Sequence, residues 1–395
     1  MRLSAPARLV MRARSLRRLA LLVLAAGTVS AADSWAQDRR QEAVDESSRR
    51  EAEALVNLAD RAMAGDPVPR DFVLRWHHDF LKAQPGTFVP FVLTVEPTDP
   101  GTPPGGAALL YVRAARRREP GRGGAASERR RVQERYPFDA VFQADLRGRP
   151  GEPVRIERGF AVPPGRYDVY LALRERPVSG AEAGTRPRAA VLRQSIEVPD
   201  FWTGAFTTST IMLADRIDVL PRAVSPEEAL ERPYAIGPND VRVAVDRTFR
   251  RDRELVVVFV IYNPALGAEG EFDVEVDYHV YRRGVAAALA PVPPGVPPPA
   301  VGEEYVSRTN PQRFNKRLLA GRVDPAAGHP VMAGQGILLS SFDPGEYRLA
   351  ITVRDLLSGK KLSREAVFRI IAGQSQPGAV ESAEGRVAGP QRSSR

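Results

Sequence analysis

The sequence predicts an all-β protein: two β-sandwiches in tandem behind a short N-terminal helix. Three observations carry this. Residues 163–176, PPGRYDVYLALRER, recur as residues 343–356, DPGEYRLAITVRDL, without a gap and at an offset of 180 residues. Each copy is followed by a second strand-like run, LRQSIEV at 192–198 and LSREAVF at 362–368. Short alternating apolar runs between Gly- and Pro-rich turns fill the chain from residue 70 to residue 371, which is the pattern of a sandwich. A chain of 395 residues is long enough for two or three full cores.

Residues 1–36 read as a secretory leader. Six arginines (Arg2, Arg8, Arg12, Arg14, Arg17, Arg18) precede the apolar run Leu19–Ala26. Val29-Ser30-Ala31 and Ser34-Trp35-Ala36 then both fit a small-x-small cleavage rule. The apolar run falls short of the roughly 20 residues a spanning helix needs, so an uncleaved anchor is the weaker alternative. Residues 38–64 predict one amphipathic helix, with Ala52, Leu55, Val56, Ala59 and Met63 spaced by three and four and Gly65 and Pro67 as its stop.

The period then changes to two. Phe72, Leu74, Trp76 and Phe80 share one strand face; Val89, Phe91, Leu93 and Val95 share the next. Further strands are expected at 108–115, 137–144, 153–162, 166–176 and 189–198, which sets the first sandwich at 70–199. The second, 200–371, should hold strands at 241–249, 254–263, 271–282, 302–308, 336–342, 346–355 and 361–371, with Thr207–Leu213 as its opening strand and a helical turn starting at Ser225. The run ELVVVFVIY at 254–262 is apolar on both faces, as a central strand requires. The segment 290–300, APVPPGVPPPA, cannot pair in a sheet and reads as an extended, mobile loop. Residues 372–395 lack large apolar side chains and predict a disordered tail.

In the repeated hairpin, proline presets φ at a turn's second position, and glycine permits the positive φ of a type II third position. Tyr347, Leu349, Ile351 and Val353 then alternate inward, as do Tyr167, Val169, Leu171 and Leu173. A tyrosine opening the penultimate strand resembles the tyrosine corner of immunoglobulin-like and fibronectin type III sandwiches. The segment FDPGEYRLAITVRDLLSGKKLSREAVFRI is also similar to the terminal hairpin of uncharacterised secreted bacterial proteins, some of them named for a Gly-Trp-x-Thr-Asp motif. That motif is absent; the nearest tryptophan reads Asp200-Phe201-Trp202-Thr203-Gly204. The resemblance implies an immunoglobulin-like fold and carries over no functional residue.

Charge narrows the function. The formal net charge of +9 falls to +4 once the leader's six arginines and Asp33 are set aside. Of 57 basic residues only Lys82, Lys316, Lys360 and Lys361 are lysines, the mark of a GC-rich genome rather than of nucleic-acid binding. Cysteine is absent, which excludes disulfides, thiolate catalysis and an acylated lipoprotein N-terminus. With the leader removed, no transmembrane segment, cofactor or metal is expected, and the protein belongs in the periplasm or outside the cell.

Candidate chemistry is sparse. His77 and His78, adjacent in a strand, point to opposite faces and cannot clasp one metal. Asp277 and His279 share a face, with Tyr281 beyond, and form a partial acid–base pair. Trp76 and Trp202 are aromatic candidates for glycan stacking, with core or junction packing as the plainer role. Residues 113–135 hold nine arginines against three glutamates, a net +6, around a Gly-rich centre. Arg116, Arg117, Arg118, Arg129, Arg130 and Arg131 are therefore candidate anion ligands on a long hairpin loop. The expected function is non-enzymatic binding of an envelope protein or polysaccharide. A hydrolase using Asp277 and His279, and glycan or lipid-headgroup binding by the arginine loop, are the alternatives.

Overall fold

The computed structural model describes residues 31–84, 86–99, 106–117, 135–149, 152–176, 186–225, 228–285, 292–293, 296–319, 323, 325 and 329–373, with side chains from residue 48 onward. Residues 1–30 of the expected leader, most of the arginine-rich stretch and the tail from residue 374 lie outside them. The chain divides into two compact units, residues 1–50 and 51–395. Helix α1, Ala31–Ala64, runs through the division. It begins seven residues before the start read from the sequence, and AADSWAQ contains no Gly or Pro to stop it.

Strands β1 (Phe72–His78), β2 (Leu81–Ala83), β3 (Gly86–Pro97), β4 (Ala107–Arg116), β5 (Phe138–Asp145), β6 (Val154–Val162), β7 (Gly165–Glu175) and β8 (Ala189–Val198) make the first sandwich. Sheet I has the order β5-β4-β7-β8, and sheet II pairs β1, β2 and β6 with β3. The second sandwich follows with β9 (Thr207–Thr208), β10 (Met212–Val219), β11 (Ala235–Ile236), β12 (Asn239–Val243), β13 (Thr248–Arg250), β14 (Glu254–Tyr262), β15 (Asp273–Arg283), β16 (Glu303–Arg308), β17 (Gln312–Asn315), β18 (Val331–Leu338), β19 (Gly345–Asp355) and β20 (Lys361–Ile371). Sheet III runs β11-β12-β10-β14-β18 with β9 also on β14; sheet IV runs β13-β20-β19-β15-β16 with β17 also on β15.

The sheets stack in numerical order. Val89, Phe91, Leu93 and Val95 of β3 pack against Leu110, Val112, Tyr167 and Leu171 between sheets I and II. Leu255, Val257, Phe259 and Ile261 of β14 meet Val276, Tyr278, Leu349 and Ile351 between sheets III and IV. A third core joins sheet II to sheet III: Leu81 and Val92 with Met212, Tyr234, Val258, Val260 and Tyr262. This explains why ELVVVFVIY is apolar on both sides: β14 faces a core in each direction. Beyond sheet I, Leu55 and Ala59 of α1 cover Tyr111, Ala115, Tyr170 and Ala172.

Several expected elements differ. The run 241–249 is two strands in different sheets, because the chain turns at Arg247 with φ 52°. Thr207–Leu213 likewise splits between β9 and β10. The strand expected at 336–342 is β18, which starts at Val331 and ends in a 3-10 turn at Leu339–Ser341. The helical start at Ser225 is borne out as a reciprocal cap: Glu228 N–H donates to Ser225 Oγ (3.2 Å) and Ser225 N–H to Glu228 Oε2 (2.8 Å).

The repeated hairpin has its expected strands but a different turn. Gly165 and Gly345 have φ 144° and 159° and open β7 and β19 directly, far from the value near 80° of a type II turn. Tyr167 Oη donates to Pro163 O and Tyr347 Oη to Asp343 O, each at 2.7 Å. The repeat also extends to a third strand. Arg116 of β4 lies opposite Tyr167 and donates to Pro164 O (3.1 Å); Arg282 of β15 lies opposite Tyr347 and donates to Pro344 O (3.4 Å). A Cβ on Gly165 would stand 3.2 Å from the Arg116 guanidinium, so glycine leaves the room in which that arginine lies.

Candidate functional site

Alternation along β15 puts Val274, Val276, Tyr278 and Val280 in the core and turns Asp273, Glu275, Asp277, His279 and Tyr281 to the outer face of sheet IV. Each acid there meets an arginine on a flanking strand: Asp273 with Arg313, Glu275 with Arg354 at 2.6 Å, and Asp277 with Arg308 at 2.6 Å. Asp277 and His279 do come together, Oδ2 to Nε2 at 3.4 Å, and both are 2 % exposed. Arg308 holds both Asp277 oxygens, at 2.8 and 2.6 Å. Burial pushes the Asp277 carboxyl up, but bonds from Arg308 and the neighbouring positive charges outweigh it and leave it below the usual range. Burial lowers His279, with Asp277 opposing in part. Its Nδ1 is buried without a hydrogen-bond partner. Asp277 is thus the counter-ion of a cross-strand pair, an arrangement that suits sheet cohesion better than proton transfer.

Beside this ladder lies a groove of about 470 Å³ on the same face. Ala350 and Thr352 of β19 line it together with Ser363, Glu365 and Val367 of β20, and Pro297 and Pro298 border it. Tyr281 Oη donates to Pro297 O at 2.6 Å, and Ala300 N–H donates to Glu303 Oε2 at 3.0 Å. The second half of the proline-rich segment is therefore tied to β15 and β16, which corrects its reading as a mobile loop. Glu303 is held in turn by Arg348, whose Nε and Nη2 reach it at 2.9 and 2.6 Å. Those bonds hold the Glu303 carboxyl below the usual range. The Arg348 guanidinium stands 4.3 Å from the Tyr281 ring.

The repeat gives this groove a counterpart. At the 180-residue offset, Ala350 and Thr352 correspond to Tyr170 and Ala172 on the outer face of sheet I. There the place of the groove is taken by Leu55 and Ala59 of α1, fixed by ion pairs Asp60–Arg113 and Glu51–Arg176. Sequence reasoning missed Glu303, Arg348 and the groove. The available signal was the alignment itself, which sets Arg348 where the first copy has Asp168.

Of the candidate anion ligands, Arg116 is engaged with Pro164 O as described, and Arg117 lies 3.4 Å from Asp168. Arg118, Arg129, Arg130 and Arg131 lie outside the described residues. His78 stacks on Trp76 at 4.7 Å, while His77 turns to Asp79 at 3.0 Å, so the two histidines do take opposite faces. Trp76 packs against the first core. Trp202 is 45 % exposed, yet its indole N–H is shared by Ala83 O (3.1 Å) and Gly86 O (2.9 Å), and Lys82 lies over its ring. No helix among the described residues is long and apolar enough to cross a membrane.

No family model matches the chain, and no curated protein does. Among solved structures, a mutant of Salmonella alpha-2-macroglobulin covers 77 % of this chain at 16 % identity with a TM-score of 0.22. This chain spans 17 % of that protein's length. The likeness carries no function across.

Proposed function

We propose that this is an exported, non-enzymatic binding protein built from two immunoglobulin-like domains, about 70–199 and 200–371, that holds an envelope protein or polymer. One observation carries the reading: the outer face of sheet IV keeps an open groove at the position that α1 fills on sheet I. The groove is bordered by fixed elements, since Tyr281 and Glu303 anchor the proline segment, and a preformed site binds without an ordering cost. The first sandwich, four strands facing four with a tyrosine corner on the penultimate strand, supports an immunoglobulin-like assignment. The leader-like start supports export.

The test is capture from the producing cell's envelope by the mature protein and by a Ser363→Trp variant. Ser363 is exposed and borders the groove, so tryptophan fills the groove without entering a core. A partner held by the native protein and lost by the variant is the expected outcome. A partner held equally by both, or a hydrolytic activity abolished by His279→Ala, would overturn the reading.

A further inference from the structure

We infer that the free edge of β18 is a self-pairing strand, through which two copies of this chain join their third sheets antiparallel about a twofold axis at Gln335. The inference is separate from the groove on sheet IV and goes beyond it.

Backbone direction comes first. Ser209 N–H donates to Val260 O at 2.8 Å and Val260 N–H to Ser209 Oγ at 2.9 Å, so Val260 points its backbone toward β9 and β10. Directions alternate along a strand. Residues 255, 257, 259 and 261 of β14 therefore turn toward β18, where they pair with 337, 335, 333 and 331. The bond from Leu339 N–H to Arg253 O fits the same parity. It follows that Met332, Gly334, Gly336 and Leu338 turn their N–H and C=O groups away from the sheet. Among the described residues one side chain from another strand bonds an outward backbone group of that edge, Gln312, whose Nε2 donates to Gly334 O at 2.6 Å, and within the strand Gln335 Nε2 donates to Gly336 O at 2.7 Å. A carbonyl oxygen has a second lone pair to offer.

Composition comes second. Natural sheets blunt their edges with charge, proline, bulges or brevity. Here β1, β5, β6, β8, β13 and β16 each carry Arg, Asp or Glu. Strands β2, β9, β11 and β17 are two to four residues long. Among the described edge strands β18 alone, VMAGQGIL, runs eight residues without charge or proline, and its register has no bulge. Gly334 and Gly336 are exposed and leave a flat centre.

Self-complementarity comes third and selects the occupant. With Gln335 opposite its own copy, Gly334 faces Gly336 and Met332 faces Leu338. All four outward residues then exchange hydrogen bonds, no like charges meet, and the contact closes on itself. Leu338, 71 % exposed, gains the partner's Met332.

The test uses the chain's lack of cysteine. Residues on the axis form a non-hydrogen-bonded pair with Cα atoms about 4.5 Å apart, within disulfide reach. Gln335→Cys should therefore yield a covalent dimer on mild oxidation, and sedimentation of the native protein from micromolar to millimolar concentration should show a reversible dimer. Gly334→Lys should weaken that dimer by roughly tenfold or more. A Cβ at Gly334 meets nothing nearer than 3.9 Å, so the melting temperature of the dilute monomer should not move. Gly336 is left alone, because Glu254 lies across it. A protein that stays monomeric and does not cross-link overturns the inference, as does a dimer indifferent to Gly334→Lys. Pairing of β18 with a strand of another protein by a monomer would also overturn it. Gly334→Lys leaves the sheet IV groove intact, so either reading can fail without the other.

Discussion

Tyr167 and Tyr347 show how little of a residue's role is its identity alone. Each is buried, each opens a strand, and each returns its hydroxyl to a carbonyl four residues earlier at 2.7 Å. Phenylalanine keeps the ring and removes the bond, so each substitution should cost about 1 kcal/mol. The tyrosines belong to sheets I and IV, with two sheets between them at a spacing of about 10 Å per layer. The two losses should therefore add in the double variant, which denaturant midpoints of the four proteins would check. His78 supplies a pH effect. Burial between Trp76 and Phe80 lowers its pKa from 6.5 to about 4, despite the opposing charge of Asp79. The folded protein thus binds this proton less readily than the unfolded chain. Its contribution is complete above the unfolded pKa and is lost as pH falls from 6.5 toward 4. Each pKa unit is worth about 1.4 kcal/mol, so native stability should drop by about 2 kcal/mol between pH 7 and pH 5 from this group. In His78→Phe that part of the slope should vanish, as urea titrations at the two pH values would reveal.

Elements were legible where local pattern and tertiary demand agreed. β7 and β19 could be read from the repeat, and β14 from an apolar run on both faces, because each has a fixed core on the side its pattern implies. β18 was half missed because Gly334 and Gly336 interrupt the strand signal; those glycines serve the edge, not the core. The break between β12 and β13 hangs on Arg247 in a left-handed conformation, which arginine does not advertise. The candidate site was legible only in part. Asp277 and His279 share a strand, so period two brought them together on paper. Arg308, which neutralises that pair, comes from β16, and the groove draws on β15, β16, β19 and β20. Alternation cannot say which strands become neighbours, and so the groove had no local signature.

At the scale of the molecule, the two sandwiches are one stack. Interfaces between domains of a chain are usually polar and permit motion. Here the layer between sheets II and III is an apolar core, with Lys82 N–H donating to Tyr262 Oη at 3.0 Å and Phe80 N–H to Thr210 Oγ1 at 2.8 Å across it. Two sandwiches coupled in this way should unfold as a single cooperative unit. Val258 separates coupling from intrinsic stability. Its side chain is fully buried, but in the layer between the sandwiches rather than inside the second one. If the sandwiches parted, position 258 would face water. Val258→Asp therefore buries a carboxylate at a cost of several kcal/mol in the stack, and little once the stack opens. Calorimetry of the native protein should show one transition. The variant should show two, with its first well below the native midpoint. One transition at the native temperature for Val258→Asp would mean that the layer between sheets II and III contributes nothing to holding the halves together.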